Sequence, residues 1–435
     1  MGDMWIAFGV LFALILLRMP IGPAMLAVGL VGFADLVGWR AALAMLGTTV
    51  FDAAQSYTLS VLPLFIVMGN LLTRAGVSRE LFGAAYAVLG HWRGGLAMAT
   101  ILAAGGFSAV SGSSLATAAT MTRVAMPEMR RYGYAPGFAA GAVAAGGTLG
   151  ILIPPSVILV IYGLLTQSDI GKLFIAGILP GLLGVAMYVG TAAAVAALRP
   201  ALGPPGERHG FRHRLRALRG VAPTLGLFVV ILGGIYVGVF TPTEAAGIGA
   251  AVALAIALAR RAIGSRDLLD ALVESGRTTA MLFTVIMGAL VFGNLVNVAG
   301  FPDLLRALVE RSELGPWAVV TLIAAIYLVL GCALESLSMI LLTVPVFYPV
   351  VQMLELGLDP EAVLIWFGIV VVVATEISLL TPPVGMNVFV LRGLLPDVSL
   401  GTLYRGVTPF WLADILRLGL IVYVPALSLV LPRLM

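Results

Sequence analysis

Apolar positions along this chain fall into runs long enough to cross a bilayer, not into the one-sided stripes of a soluble helical protein. A hydrocarbon core of about 30 Å needs about 17–25 apolar residues in helical form. Such runs predict spans near 4–17, 21–38, 58–74, 134–166, 173–197, 221–240, 243–259 and 278–298, with interrupted apolar stretches between and beyond them. Polar and small residues break the pattern at a few places only, and those places hold the candidate chemistry. Composition agrees: of 435 residues 60% are hydrophobic and 11% charged, where a soluble domain carries about 25% charge. The start, Met1-Gly2-Asp3-Met4, has an acid where a secretory leader has basic residues, and no small-residue cleavage site precedes Arg18. It reads as a retained first span.

Charge sets the expected orientation. Arg199, Arg208, Arg212, Arg214, Arg216 and Arg219 form the densest basic segment, and Arg260, Arg261 and Arg266 follow after two crossings. The positive-inside rule puts both clusters in the cytoplasm and, counting back, the N-terminus in the periplasm. Arg74, Arg79, Arg123, Arg130 and Arg131 then fall inside as well, while the loop with Glu355, Asp359 and Glu361 falls outside without Lys or Arg. The 199–220 segment is read as a basic cytoplasmic linker, in preference to a lipid- or nucleic-acid-binding patch. It separates residues 1–198 from 221–435.

Those two parts resemble each other. Gly69-Asn70-Leu71 recurs as Gly293-Asn294-Leu295, an offset of 224, and Pro154-Pro155 recurs as Pro382-Pro383, an offset of 228. Two matches at nearly one offset mark an internal repeat. With the orientation above, the repeated spans run in opposite directions, which makes the repeats inverted. Inverted repeats with interrupted helices are an architecture of secondary transporters. Each part also contains a second interruption. Residues 94–126 carry Ser108, Ser111, Ser113 and Ser114 in mid-stretch, with Arg93 and Arg123 on one side, which predicts a re-entrant hairpin with its tip at the serines. Its counterpart, 316–354, has its tip near Gly331-Cys332-Ala333-Leu334-Glu335-Ser336. Non-helical backbone at such depth must be buried in protein or line a wet cavity. The broken helices themselves span about 134–166 and 361–395.

Two consecutive prolines remove two backbone donors and free the carbonyls before them, here from Gly150 to Ile153. Freed carbonyls and the Ser108 and Ser111 hydroxyls suit a small hard cation such as Na⁺. Ser378 to Val384 offers the same arrangement around Pro382-Pro383, with Thr381 adding a hydroxyl. The alternative is a pair of Pro kinks with small-residue packing and no ligand; two similar kinks beside hydroxyl-rich hairpins favour ion sites. Glu335 and Glu376 lie in apolar surroundings, where an acid costs about 2.5–3.5 kcal/mol at mid-span. They are candidates for ion ligands, protonation sites or partners of a buried base, or else close helix ends as neutral groups. Glu244 fits a capping box with Thr241 as N-cap and Pro242 at the first helical position. Ser113, Ser114, Arg123 and Asn387 are candidate substrate contacts, although Arg123 and Arg392 fit topology anchoring as well.

Missing motifs narrow the function. Gly171-Lys172 is followed by Leu173, so no phosphate-binding loop for ATP is present. The histidines, His91, His209 and His213, lie outside the predicted spans, which disfavours an intramembrane serine protease. No Cys/His cluster marks a metal site, and a lone Cys332 makes no internal disulfide.

Taken together, Ser108-x-x-Ser111-Gly-Ser-Ser114, Pro127-Glu128-Met129, Gly147-Thr148-Leu149-Gly150 through Pro154-Pro155-Ser156, Leu173-Phe174, Pro180-Gly181, Phe240-Thr241-Pro242-Thr243-Glu244 and Thr381-Pro382-Pro383-Val384-Gly385-Met386-Asn387 resemble the large membrane (M) subunit of tripartite ATP-independent periplasmic (TRAP) transporters. The resemblance spans essentially the whole chain. It implies an all-α polytopic membrane protein of the elevator type, with a scaffold and a mobile transport domain carrying both hairpins. It implies Na⁺-driven import of an organic acid, such as a C4-dicarboxylate or a sugar acid like sialic acid, delivered by a periplasmic substrate-binding protein. A small membrane (Q) subunit is the second expected partner, in the bacterial inner membrane. Two Na⁺ sites are implied, at Ser108, Ser111, Gly150, Ile153 and Pro154, and at Ser378, Thr381 and Val384. Ser378 stands where many relatives have Gly. A stand-alone Na⁺- or H⁺-coupled anion carrier of related inverted-repeat fold is the alternative, and it needs no partner.

Overall fold

The computed structural model describes residues 2–332 and 334–435; Met1 of the first span and Ala333 of the second hairpin tip lie outside them. All regular elements among the described residues are helices. α1 (Gly2–Leu16) and α2 (Ile21–Val37) are followed by α3 (Trp39–Gln55) and α4 (Val61–Arg74), which a short 3₁₀ turn joins at a 56° bend. After α5 (Val77–Leu89) come the two arms α6 (Gly95–Ser111) and α7 (Ser114–Arg131), then α8 (Pro136–Thr148) and α9 (Val157–Thr166), and the long α10 (Ile170–Leu198). The second part begins with α11 (Phe211–Tyr236), α12 (Pro242–Ala259), α13 (Ser265–Val298) and α14 (Phe301–Arg311). It continues with the arms α15 (Pro316–Leu330) and α16 (Ser336–Gln352), then α17 (Pro360–Ser378) and α18 (Met386–Leu394). α19 (Leu400–Tyr423) and the short α20 (Ala426–Leu429) close the chain.

α10, α11, α12, α13, α17 and α19 are each long and apolar enough to cross a membrane, and the bent α3–α4 pair makes a seventh if it is taken as one span. The molecule is a multi-pass membrane protein. Five helices, α3, α5, α14, α19 and α20, go beyond the spans expected from hydropathy. α14 carries Asp303, Arg306, Glu310 and Arg311 in 11 residues, too polar a composition to score as a span. The basic segment also differs from a plain linker: from Phe211 onward it is the first turns of α11. Its Arg, Leu and Ala residues are strong helix formers, and Gly210 ends the irregular part. His213 is therefore helical, with its ring stacked 4.3 Å from that of His209.

Packing divides the helices into two groups. In one, α2 lies along α13 and α12 lies along α4. In the other, the arms and broken helices pack on α10 and α19. Small residues allow the closest crossings. A Cβ at Gly29 would lie 2.8 Å from the Phe292 Cα, and one at Gly137 would lie 2.9 Å from the Thr402 carbonyl. The repeated asparagines make matching bonds: Asn70 of α4 donates to Ser275 of α13 at 2.8 Å, and Asn294 of α13 donates to Thr49 of α3 at 3.4 Å. At the start of α12 the capping box forms as expected. The Thr241 amide donates to Glu244 Oε2 at 2.8 Å and the Glu244 amide to Thr241 Oγ1 at 3.3 Å, worth about 1 kcal/mol to that end.

Candidate functional site

Two helix breaks and two hairpin tips build the site. α6 ends because Gly112 takes a left-handed conformation (φ +59°), with its amide on the Ser108 carbonyl at 2.9 Å. Ser113 then caps α7, accepting from the Ala116 amide at 3.4 Å. α8 tightens into a 3₁₀ turn at Leu149–Ile151 and stops at Pro154-Pro155, where no amide is available. Ser156 restarts the chain as the N-cap of α9. In the second part α17 ends at Ser378, and Gly385 (φ +57°) opens α18 after Pro382-Pro383. Glu335 stands as N-cap of α16.

These pieces converge. A cavity of about 300 Å³ is lined by the first hairpin tip (Ser111 to Ala116), the first break (Ile151, Val157), the second tip (Glu335, Ser336) and the second break (Leu379, Met386). α4 and α13 close its other wall with Asn70, Glu274 and Thr278. Four helices, α7, α9, α16 and α18, begin at this lining. Each N-terminus carries about half a positive charge at its first turn, set against the carboxyls of Glu274 and Glu335 in the same lining. Among the described residues no Lys or Arg lines it, and Arg74 of α4 is paired with the lining Glu274 at 3.0 Å.

The first set of predicted cation ligands sits close together. Gly150 presses against the tip: a Cβ there would lie 3.2 Å from the Ser113 carbonyl oxygen. Ser111 Oγ lies 2.7 Å from Thr117 Oγ1 and borders the cavity. Ser108 is fully buried, its hydroxyl donating to the Ala104 carbonyl at 2.6 Å. Ile153 packs toward Gly181, and Pro154 is buried beside Gly177. One of the carbonyls freed by the prolines is already matched, since the Ser156 hydroxyl donates to Ile151.

Protein donors engage the second set more fully. The Ser378 hydroxyl donates to Thr375 at 2.6 Å and its carbonyl accepts from the Thr381 amide at 3.1 Å. Thr381 Oγ1 donates to Ile377 at 2.8 Å and accepts from the Trp411 indole at 2.9 Å. The Tyr404 hydroxyl lies 2.7 Å from the carbonyls of both Pro383 and Val384. A hydroxyl has one proton for these two acceptors, so a pair of carbonyl oxygens converges here on one point.

The remaining candidates separate. Ser113 and Ser114 line the cavity, whereas Arg123 lies exposed on α7 away from it. Asn387 is also outside the lining, buried with its amide donating to the Ala144 carbonyl at 3.2 Å. Its position next to the break follows from the sequence, but its direction follows from the αL turn at Gly385. Glu335 faces the cavity mouth, with Ser338 donating to it at 3.3 Å. Glu376 turns the other way and accepts from Arg417 at 2.5 Å, both at 0% exposure. Arg392 closes the end of α18 by donating to the Pro396 and Val398 carbonyls.

Sequence reasoning missed two groups. Asn70 marks the repeat, yet its place in the cavity wall needs α4 to pack on α13. Arg417 and Asp414 lie in an apolar stretch of α19 and carry the same signal that singled out Glu376. Outside the spans, Arg130 lies 2.8 Å from Asp397 and holds that carboxyl below the usual carboxylate range.

Residues 8–427 match the family model described as tripartite ATP-independent periplasmic transporter, DctM component. The chain belongs to that family. It is 39% identical over 389 residues to the C4-dicarboxylate TRAP transporter large permease protein DctM of Pseudomonas aeruginosa, covering 89% of each chain. It is 34% identical to the sialic acid TRAP transporter large permease protein SiaM of Vibrio cholerae, covering 87% of each. Among solved structures, the Alcanivorax borkumensis YdaH transporter superposes with a TM-score of 0.60 at 14% identity, over 89% of this chain and 88% of that one. That likeness concerns the fold.

Proposed function

We propose that this DctM-family protein is the large membrane subunit of a Na⁺-coupled importer, and that its cavity holds an organic acid between two cation-binding breaks. The observation that carries this reading is the meeting of both hairpin tips and both helix breaks at one cavity. Transporters with interrupted helices bind substrate and ions at such junctions. Four helix N-termini and the hydroxyls of Ser111, Ser113, Ser114 and Ser336 supply recognition of a carboxylate without an arginine. The carboxylate-bearing class is further supported by relatives named for C4-dicarboxylates and sialic acid.

In this reading the two parts are inverted repeats, supported by the matching Asn70–Ser275 and Asn294–Thr49 bonds. Basic segments face the cytoplasm and the N-terminus faces the periplasm. The α2–α13 and α4–α12 group is the scaffold, and the group with hairpins and breaks slides against it as an elevator. Na⁺ binds at Ser108, Ser111, Gly150, Ile153 and Pro154 in one part and at Ser378, Thr381 and Val384 in the other. Binding there recruits carbonyls that the prolines leave without amide partners. A separate small membrane subunit extends the scaffold, and a periplasmic protein delivers the solute.

Reconstitution of the chain with its small subunit tests this. Labelled organic acid should accumulate only with an inward Na⁺ gradient and the binding protein present. Uptake that ignores the gradient overturns the coupling; uptake undiminished without the binding protein favours a stand-alone carrier.

A further inference from the structure

Behind the breaks, on the side away from the cavity, lies a chain of polar groups that the transport reading leaves unused. Thr148 ends α8, two residues before Gly150; its hydroxyl donates to the Ala145 carbonyl at 2.8 Å and lies 3.3 Å from the Tyr188 hydroxyl on α10. The Tyr188 hydroxyl donates to Asp414 of α19 at 2.5 Å. Arg417, one turn further on, lies 2.8 Å from Asp414 and 2.5 Å from Glu376 of α17. Glu376 in turn is two residues before Ser378. All five residues are at most 1% exposed.

The repeat gives this chain a meaning. Thr148 and Glu376 are 228 residues apart, the same offset as the Pro-Pro pairs, and Tyr188 and Arg417 are 229 apart, like Pro180 and Pro409. Each break therefore has its own pair behind it, Thr148–Tyr188 in one part and Glu376–Arg417 in the other. Asp414 joins the two pairs. Room for the guanidinium exists because residue 184 is glycine; a Cβ there would overlap Arg417 Nη1. Glu376 Oε1, Arg417 Nε and Arg417 Nη1 are buried without a hydrogen-bond partner. A half-satisfied buried ionic cluster is a poor way to gain stability, and apolar residues of similar volume serve packing as well or better. What such a cluster does supply is a fixed geometry between the elements that it joins.

We propose that Thr148, Tyr188, Asp414, Arg417 and Glu376 are positioning residues that couple the two breaks, so that a cation held at one raises the affinity at the other. The proposal rests on the sodium reading above. A displacement of the Gly150 or Ser378 backbone moves Thr148 or Glu376, and the chain of contacting groups passes that movement across Asp414. Reciprocity is then required: each site feels the other equally.

The test measures uptake against Na⁺ concentration in proteoliposomes holding the complete transporter, together with thermal stability. Tyr188→Phe removes the hydroxyl that joins the two pairs and keeps the ring, whose centroid lies 5.8 Å from the Arg417 guanidinium. The Na⁺ dependence should become less steep, approaching that of two independent sites that must both be filled, and half-saturating Na⁺ should rise by about fivefold or more. The half-saturating substrate concentration at high Na⁺ should stay within about twofold, since none of these groups lines the cavity. Thr148→Val cuts the same chain at its other end and should give the same loss, which covers the case in which Tyr188→Phe does not fold. A Tyr188→Phe or Thr148→Val protein that melts earlier yet keeps the original Na⁺ cooperativity overturns the coupling and leaves the sodium reading intact. An unmodified transporter with no Na⁺ dependence overturns the sodium reading and the coupling with it.

Discussion

Arg417 bridges two buried carboxyls, and its removal has a calculable cost. Replacement by Met keeps most of the volume and deletes the guanidinium that Glu376 and Asp414 share at 2.5 and 2.8 Å. Both carboxyls are then left without a counter-charge in a site of at most 1% exposure. Breaking a buried pair by removing one partner costs about 3–5 kcal/mol, because the partner left behind is charged and unpaired. Arg417→Met should therefore lie in that range or unfold. The triple variant Arg417→Met/Glu376→Gln/Asp414→Asn removes the stranded charges as well, and it should recover more than half of the loss. Detergent-solubilised protein, unfolded by denaturant or by heat at a fixed scan rate, provides the comparison. An Arg417→Met protein as stable as the original, or a triple variant no better than the single, would refute the assignment of the cluster as a charge-paired unit.

Three other outcomes follow from the geometry. Gly150→Val should abolish Na⁺-driven uptake while Gly150→Ala only weakens it, because a first Cβ already comes within 3.2 Å of the Ser113 peptide and the branch has nowhere to go; normal uptake by the Val variant contradicts docking of the tip on the break. Thr241→Ala should cost about 1 kcal/mol of stability through loss of the α12 cap, and an unchanged denaturation midpoint contradicts it. Asp397 has its folded-state pKa lowered, above all by the hydrogen bond from Arg130; its contribution is full above the unfolded value of about 3.9 and is lost as pH falls through the folded value, so the stability gap to Asp397→Asn should close in acid, and a gap that widens there has the wrong sign.

Much of this arrangement is legible in the sequence because lipid imposes strict rules on a buried backbone. Pro154-Pro155 and Pro382-Pro383 cannot continue a helix, and Ser111-Gly112-Ser113 cannot lie in hydrocarbon alone. Both therefore had to be breaks, and the breaks had to be sheltered. The capping box at Thr241 was readable for the same local reason. Directions of side chains were not. Asn387 follows the second break in sequence, but the left-handed turn at Gly385 aims it at Ala144 and away from the cavity. Arg123 shares a helix with the cavity-lining Ser114, yet it points outward from α7, because the nine-residue step between them makes about two and a half turns and ends on the opposite face. Glu376 called for a partner, and the partner came from α19, 41 residues on. Only the packing of α19 against α17 brings them together. Asn70 was visible as a repeat marker, and its place in the cavity wall depends on the approach of α13.

The most direct measurement of the central claim is an experimental structure of the complete transporter in Na⁺ with a saturating organic acid. The acid should lie between Ser113 and Ser336, at the starts of α7 and α16. An ion should sit at each break, within coordination distance of Ser111 and Gly150 in one part and of Thr381 and Val384 in the other. An acid bound outside this cavity, or breaks that stay free of ions in saturating Na⁺, would contradict the account.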